Sequence, residues 1–144
     1  MAGKSDVFET DILDLIFQGV AIADIAENDT TSPLAQYFVS LHTADPTDSG
    51  TQTSSEISYV NYARVAVTRT SGGWAVTGGV ASPVADITFA AAGSGAGGTA
   101  SHAMIGTLAT GAGKHLFSGT VTPNITVVTG VTPRLTTAST ITED

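Results

Sequence analysis

At 144 residues with no cysteine, the chain has the length of one domain and forms no disulfide or thiolate metal site. Thirteen Asp and Glu against five Lys and Arg give a formal charge of −8. That balance argues against a nucleic-acid backbone or an anionic membrane surface as partner, since both require clustered cations. Charged residues make up only 12% and apolar residues 42%, while Ser and Thr supply about a quarter of the chain. This composition favours strands and turns over solvated helices and is too apolar for a disordered chain.

The N-terminal residues lack the basic stretch and apolar run of a secretion signal, and no apolar stretch has bilayer-spanning length. The expectation is a cytosolic product that is assembled later. Residues 5–18 predict a helix. Asp6 and Glu9 resemble a capping box, and Gly19 is a C-terminal stop. Phe8, Ile12, Leu15 and Ile16 repeat at one-face helical spacing. Fully buried, four such side chains contribute about 6–10 kcal/mol, so the face is expected to dock on the chain's own strands or on a neighbouring subunit. It is the candidate interaction site. Residues 20–23 could form a short strand, and 27–33 read as a polar loop ending at Pro33.

From Leu34 the pattern becomes extended. Strands are expected at 37–42, 62–69, 74–77, 85–89, 101–108, 114–121, 125–128 and 135–141. Ser71-Gly72-Gly73 reads as a hairpin turn joining 62–69 to 74–77. About eight short strands at near-regular spacing predict a mainly β chain, a β-sandwich or jelly-roll-like domain over 34–144, preceded by a helix and arm over 1–33.

Motifs for chemistry fail on context. Gly93, Gly95 and Gly98 fit GxGxxG, but a strand pattern follows where a dinucleotide site needs a helix. Gly113-Lys114-His115 lacks both the leading Gly and the Ser or Thr of a phosphate loop. His42, His102 and His115 are not at ligand spacing, and Asp45, Asp48 and Glu56 match no EF-hand loop. No GxSxG elbow occurs, and past Glu56 the only acids are Asp86, Glu143 and Asp144, too few for a glycosidase pair. No catalytic residue, cofactor or metal is therefore expected. Trp74 with Tyr59 or Tyr62 could form a platform for a carbohydrate, against the simpler expectation that Trp74 is core.

Several segments carry a resemblance: Ser40-Leu41-His42-Thr43-Ala44-Asp45-Pro46, Tyr62-Ala63-Arg64-Val65-Ala66-Val67, Gly73-Trp74-Ala75-Val76-Thr77-Gly78, Leu116-Phe117-Ser118-Gly119 and Gly130-Val131-Thr132-Pro133-Arg134. Together the chain resembles a family of small virion structural proteins of tailed bacteriophages and prophages, often labelled phage tail fibre proteins. The resemblance implies a non-enzymatic virion component that joins other virion proteins. Neither a fibrous repeat nor a heptad is present, and acidic charge suits the particle exterior. The first expectation is thus a capsid decoration or cement protein bound to the major capsid protein. A tail-fibre or tail-tip module binding a host receptor or glycan is the alternative. A homo-oligomer, with three copies, is the expected assembly.

Overall fold

The computed structural model describes residues 6–22, 34–95 and 97–142, with the side chains of Asp6 and Phe8 excepted. Mainly antiparallel strand with one short N-terminal helix, the class expected from the sequence, is the observed architecture. Helix α1 (Asp6–Leu13) runs into one π-helical turn (Asp14–Gln18). Among the described residues nine strands follow: β1 (Gln36–His42), β2 (Val65–Thr68), β3 (Trp74–Thr77), β4 (Val80–Pro83), β5 (Ile87–Thr88), β6 (Gly98–Gly106), β7 (His115–Val127), β8 (Arg134–Leu135) and β9 (Ile141–Thr142). They form sheets of order β2-β1-β6-β7, β3-β4-β9 and β5-β8. The chain groups into two units. One comprises residues 1–35, 68–86 and 135–144, the other 36–67 and 87–134.

In the first unit, β3 and β4 pair as a hairpin with Trp74 opposite Pro83 and Thr77 opposite Val80. Its turn is Gly78-Gly79, both at positive φ (58° and 73°), as a two-residue primed turn requires. The hairpin expected between 62–69 and 74–77 does not form. Residues 70–73 instead close a tight turn in which the Thr70 carbonyl accepts from the Gly73 and Trp74 amides, at 2.9 and 3.0 Å. β2 and β3 then join different sheets. Among the described residues of this unit, Leu13, Phe17, Ile22, Trp74, Ala81, Pro83 and Leu135 are buried.

The second unit is built on β1, β6 and β7, with β6 antiparallel to both neighbours. β1 is buried on both faces from Val39 to His42, so its apolar alternation gives way to Val39, Ser40, Leu41 and His42 all inside. The two strands expected at 114–121 and 125–128 are one strand. It bulges where Ala100 pairs with Ile125 and His102 with Thr120, and the Thr122–Pro123 peptide is cis there. Strand β6 opens at Gly98, in keeping with the strand pattern of residues 99–104.

Candidate attachment helix and buried polar clamp

The helix is held to the β3–β4 hairpin of its own unit. Phe17 and Leu13 are fully buried, and the Phe17 ring lies 4.5 Å from the Trp74 ring, tilted by 50°. The Gly79 amide donates to Thr10 Oγ1 at 2.9 Å. At the C-terminal end, Gly19 adopts the left-handed conformation (φ 71°), and its amide donates to the Asp14 carbonyl. The Val20 amide donates to the same carbonyl at 3.2 Å. Arg69 donates from Nε and Nη2 to the carbonyls of Ile16 and Leu15, so a cation sits at the negative end of the helix dipole.

The seating stripe is therefore Leu13 and Phe17, roughly a third of a turn around the helix from the face read in the sequence. Ile12, Leu15 and Ile16 are half-buried, while the Phe8 side chain lies outside the described residues, as does that of Asp6 in the capping pair. Val7 and Val20 are exposed, at 70% and 51%. A shallow depression of about 300 Å³ beside the helix is lined by Val7, Thr10, Asp11 and Gly78. Asp6, Glu9, Asp11 and Asp14 give the helix four acids and no base. Partial burial, and then the Asp11 carboxylate, push the Asp14 carboxyl above its ordinary value.

Charge divides sharply between the units. The first holds ten Asp and Glu against Lys4 and Arg69, a net −8. The second holds Asp45, Asp48 and Glu56 against Arg64, Lys114 and Arg134, a net of zero.

Within the second unit one ion pair is buried. Arg64 meets Glu56 in a two-pronged contact, Nε to Oε1 and Nη2 to Oε2, both at 2.7 Å. The Arg64 side chain is 3% exposed and that of Glu56 16%. Arg64 also donates from Nη1 to the Leu108 carbonyl and from Nη2 to the Gly111 carbonyl, each at 2.9 Å. The Tyr62 hydroxyl donates to Glu56 Oε1 at 2.9 Å and accepts from the Leu41 amide at 3.1 Å. Burial is the main cause that pushes the Tyr62 phenol far up, and the Glu56 hydrogen bond is the main cause that raises Arg64. The group thus ties β1, the 56–64 segment and the 107–114 loop together with every guanidinium edge engaged. The strand expected from 62 starts only at Val65 because Tyr62 and Arg64 serve this clamp.

His42 is fully buried. Its Nδ1 donates to the Ser54 carbonyl at 2.7 Å, and the Ser40 hydroxyl lies 2.9 Å from Nε2. Since a carbonyl only accepts, the neutral ring carries its proton on Nδ1. Burial, above all, holds its pKa below the ordinary 6.5. His102 pairs across the sheet with His42, but its Nδ1 faces Ser101 Oγ at 2.9 Å. Among the described residues no group of three His, Cys, Asp or Glu is placed to hold a metal. Asp45 and Asp48 are exposed, and Asp45 Oδ1 accepts from the Thr47 amide at 2.9 Å, a local turn contact.

Gln52, also fully buried, accepts from the Leu108 amide at 2.9 Å. Gly106 and Gly113 lie flat against it, where an added Cβ at either would run into its side chain. The aromatic platform considered from sequence is not at the surface. Trp74 is 1% exposed and Tyr59 9%. Tyr62 is engaged in the clamp, with its ring stacked 6.2 Å from Phe89. Sequence reasoning missed the clamp because Glu56 and Arg64 lie in irregular segments eight residues apart; only the two-pronged geometry marks them.

No helix among the described residues is long and apolar enough to cross a membrane. No curated protein matches the chain. A family model described as podophage GP4 fiber I protein gp80 matches residues 3–142, nearly the whole chain, which makes this a phage structural protein and a virion component. The chain belongs to the podophage GP4 fiber I protein family.

Proposed function

We propose that the chain is a non-enzymatic module of a virion fibre, attached to other virion proteins through its acidic N-terminal unit. The family match over residues 3–142 carries the reading, because its description is of a fibre protein. It favours the fibre placement over the capsid-surface placement expected first from composition. The interior supports a structural role: the buried Arg64 and His42 and the half-buried Glu56 and Tyr62 are all spent on internal hydrogen bonds. Ile12, Leu15 and Ile16, half-buried beside the seated Leu13 and Phe17, form the attachment face, with Phe8 one turn before them in the same spacing. With four acids and no base on that helix, the complementary surface is a basic one on a neighbouring virion protein.

The test is incorporation into particles. Leu15→Lys and Ile16→Lys leave Leu13 and Phe17 seated, so the protein should fold while its copy number on purified virions falls severalfold. Normal incorporation of a folded double variant would overturn the attachment face. Gold-labelled antibody against the chain should mark fibres; label confined to the capsid shell would overturn the fibre placement.

A further inference from the structure

We propose that the depression between α1 and the β3–β4 turn is a preformed socket for one lysine side chain of another virion protein, its aliphatic stem on Val7 and its ammonium at Asp11. Such a socket serves the attachment proposed above for the acidic N-terminal unit, and rests on that reading. Val7, Thr10, Asp11 and Asp14 stand at i, i+3, i+4 and i+7 and share one stripe of the helix. That stripe lies about 100° around from Phe8, Ile12, Leu15 and Ile16, so it is a second surface beside the attachment face.

Val7, Thr10 and Asp11 form one wall and Gly78 the other, around about 300 Å³. The walls are pinned together, because the Gly79 amide donates to Thr10 Oγ1 at 2.9 Å. Gly78 has nothing within 4 Å of where a Cβ would stand, so that side stays open to an incoming chain. Val7 is 70% exposed, the most exposed of the large apolar residues described. At the low end of pocket volumes and open to solvent, the depression does not enclose a small molecule. An apolar surface that ends in a carboxylate instead matches a lysine, which lays its methylenes on apolar surface and keeps its charge at the tip.

The sign of the occupant is set by charge. Among the described residues neither Asp11 nor Asp14 meets a cation. Arg69, the basic residue of this unit among those described, is committed to the Leu15 and Ile16 carbonyls. Asp11 and Asp14 repel each other, which adds to the burial that pushes the Asp14 carboxyl up. An ammonium at Asp11 relieves that repulsion, and its three rotatable donors suit two carboxylates on one stripe. A guanidinium would gain from a ring to stack on, and no aromatic residue among those described lines the depression.

Rebinding of the purified full chain to particles produced without it tests the socket. Asp11→Asn should weaken rebinding about tenfold or more, and Val7→Asn should weaken it severalfold, with melting temperatures unchanged. Glu9→Gln removes the same charge from the same helix but off the stripe, and should rebind as the wild type does. Carbodiimide coupling of the bound chain, followed by peptide mapping, should join Asp11 to a lysine of another virion protein. Equal loss from Asp11→Asn and Glu9→Gln, or coupling that joins Asp11 to no lysine, would overturn the socket. So would normal rebinding of Asp11→Asn where Leu15→Lys with Ile16→Lys fails to rebind, an outcome that leaves the attachment reading standing. Full rebinding by every one of these variants would overturn both.

Discussion

Removing Arg64 should unlock the second unit. In Arg64→Met the Glu56 carboxylate keeps only the Tyr62 hydroxyl, the Leu108 carbonyl loses the Arg64 donor, and the Gly111 carbonyl keeps only the Gly113 amide. Truncating one partner of a buried ion pair typically costs about 3–5 kcal/mol, because the other charge stays behind uncompensated. An exposed pair would cost about 1 kcal/mol or less. At 3% exposure for Arg64 and 16% for Glu56 the pair belongs with the buried class. For a chain of this size the loss corresponds to a melting temperature about 10–20 °C lower. Replacing both partners, Arg64→Met with Glu56→Leu, should recover part of it, since no buried charge remains. Urea titration of wild type, the single variant and the double variant measures each step. A single variant within about 1 kcal/mol of wild type, or a double variant less stable than the single, would refute the reasoning.

Three further outcomes are expected. Phe17→Ala should cost about 3–5 kcal/mol and shift the emission of Trp74, the one tryptophan, to longer wavelength as its cover is lost; unchanged emission and melting would contradict the seating of the helix. Gly106→Ala should destabilise by about 1–3 kcal/mol, since the new Cβ meets Gln52, whereas Gly119→Ala should be close to neutral because its surroundings are open; urea titration of the two variants compares them. His42 contributes a pH dependence with a defined sign. Its folded pKa is depressed from 6.5 by burial, with Arg64 and His115 also lowering it and the Ser54 carbonyl and Glu56 opposing. The unfolded chain therefore takes up the proton first, so stability is full above 6.5 and falls as pH drops below it towards the folded value. His42→Gln should flatten that slope in denaturant titrations across this window.

Much of the fold was legible because local pattern and structure agree. The helix over 5–18, the strands at 37–42 and 74–77, and the strand after the glycine loop were readable from period and punctuation alone. The misplaced features have physical causes. Ser71-Gly72-Gly73 looked like a hairpin turn, but Gly78-Gly79 supplies two consecutive positive φ values, and that geometry captured Trp74–Thr77 for β4. Pro123 looked like a strand end, whereas a bulge absorbs it within β7. The helix seats on its own unit through Leu13 and Phe17, beside the face counted from Phe8; Trp74, the ring partner of Phe17, is 57 residues further on, and no helical period reports it. The Glu56–Arg64–Tyr62 clamp was invisible for the same reason, since its carbonyl acceptors at 108 and 111 are brought in by tertiary structure.

Fibre membership is tested most directly by a density map of the intact particle at side-chain resolution, into which this chain is placed. The account predicts density for the helix, for the β3–β4 hairpin with Trp74, and for the long strand β7 within a fibre, with the N-terminal unit against a basic surface of another virion protein. Placement of the same density on the capsid shell, with none in any fibre, would contradict it.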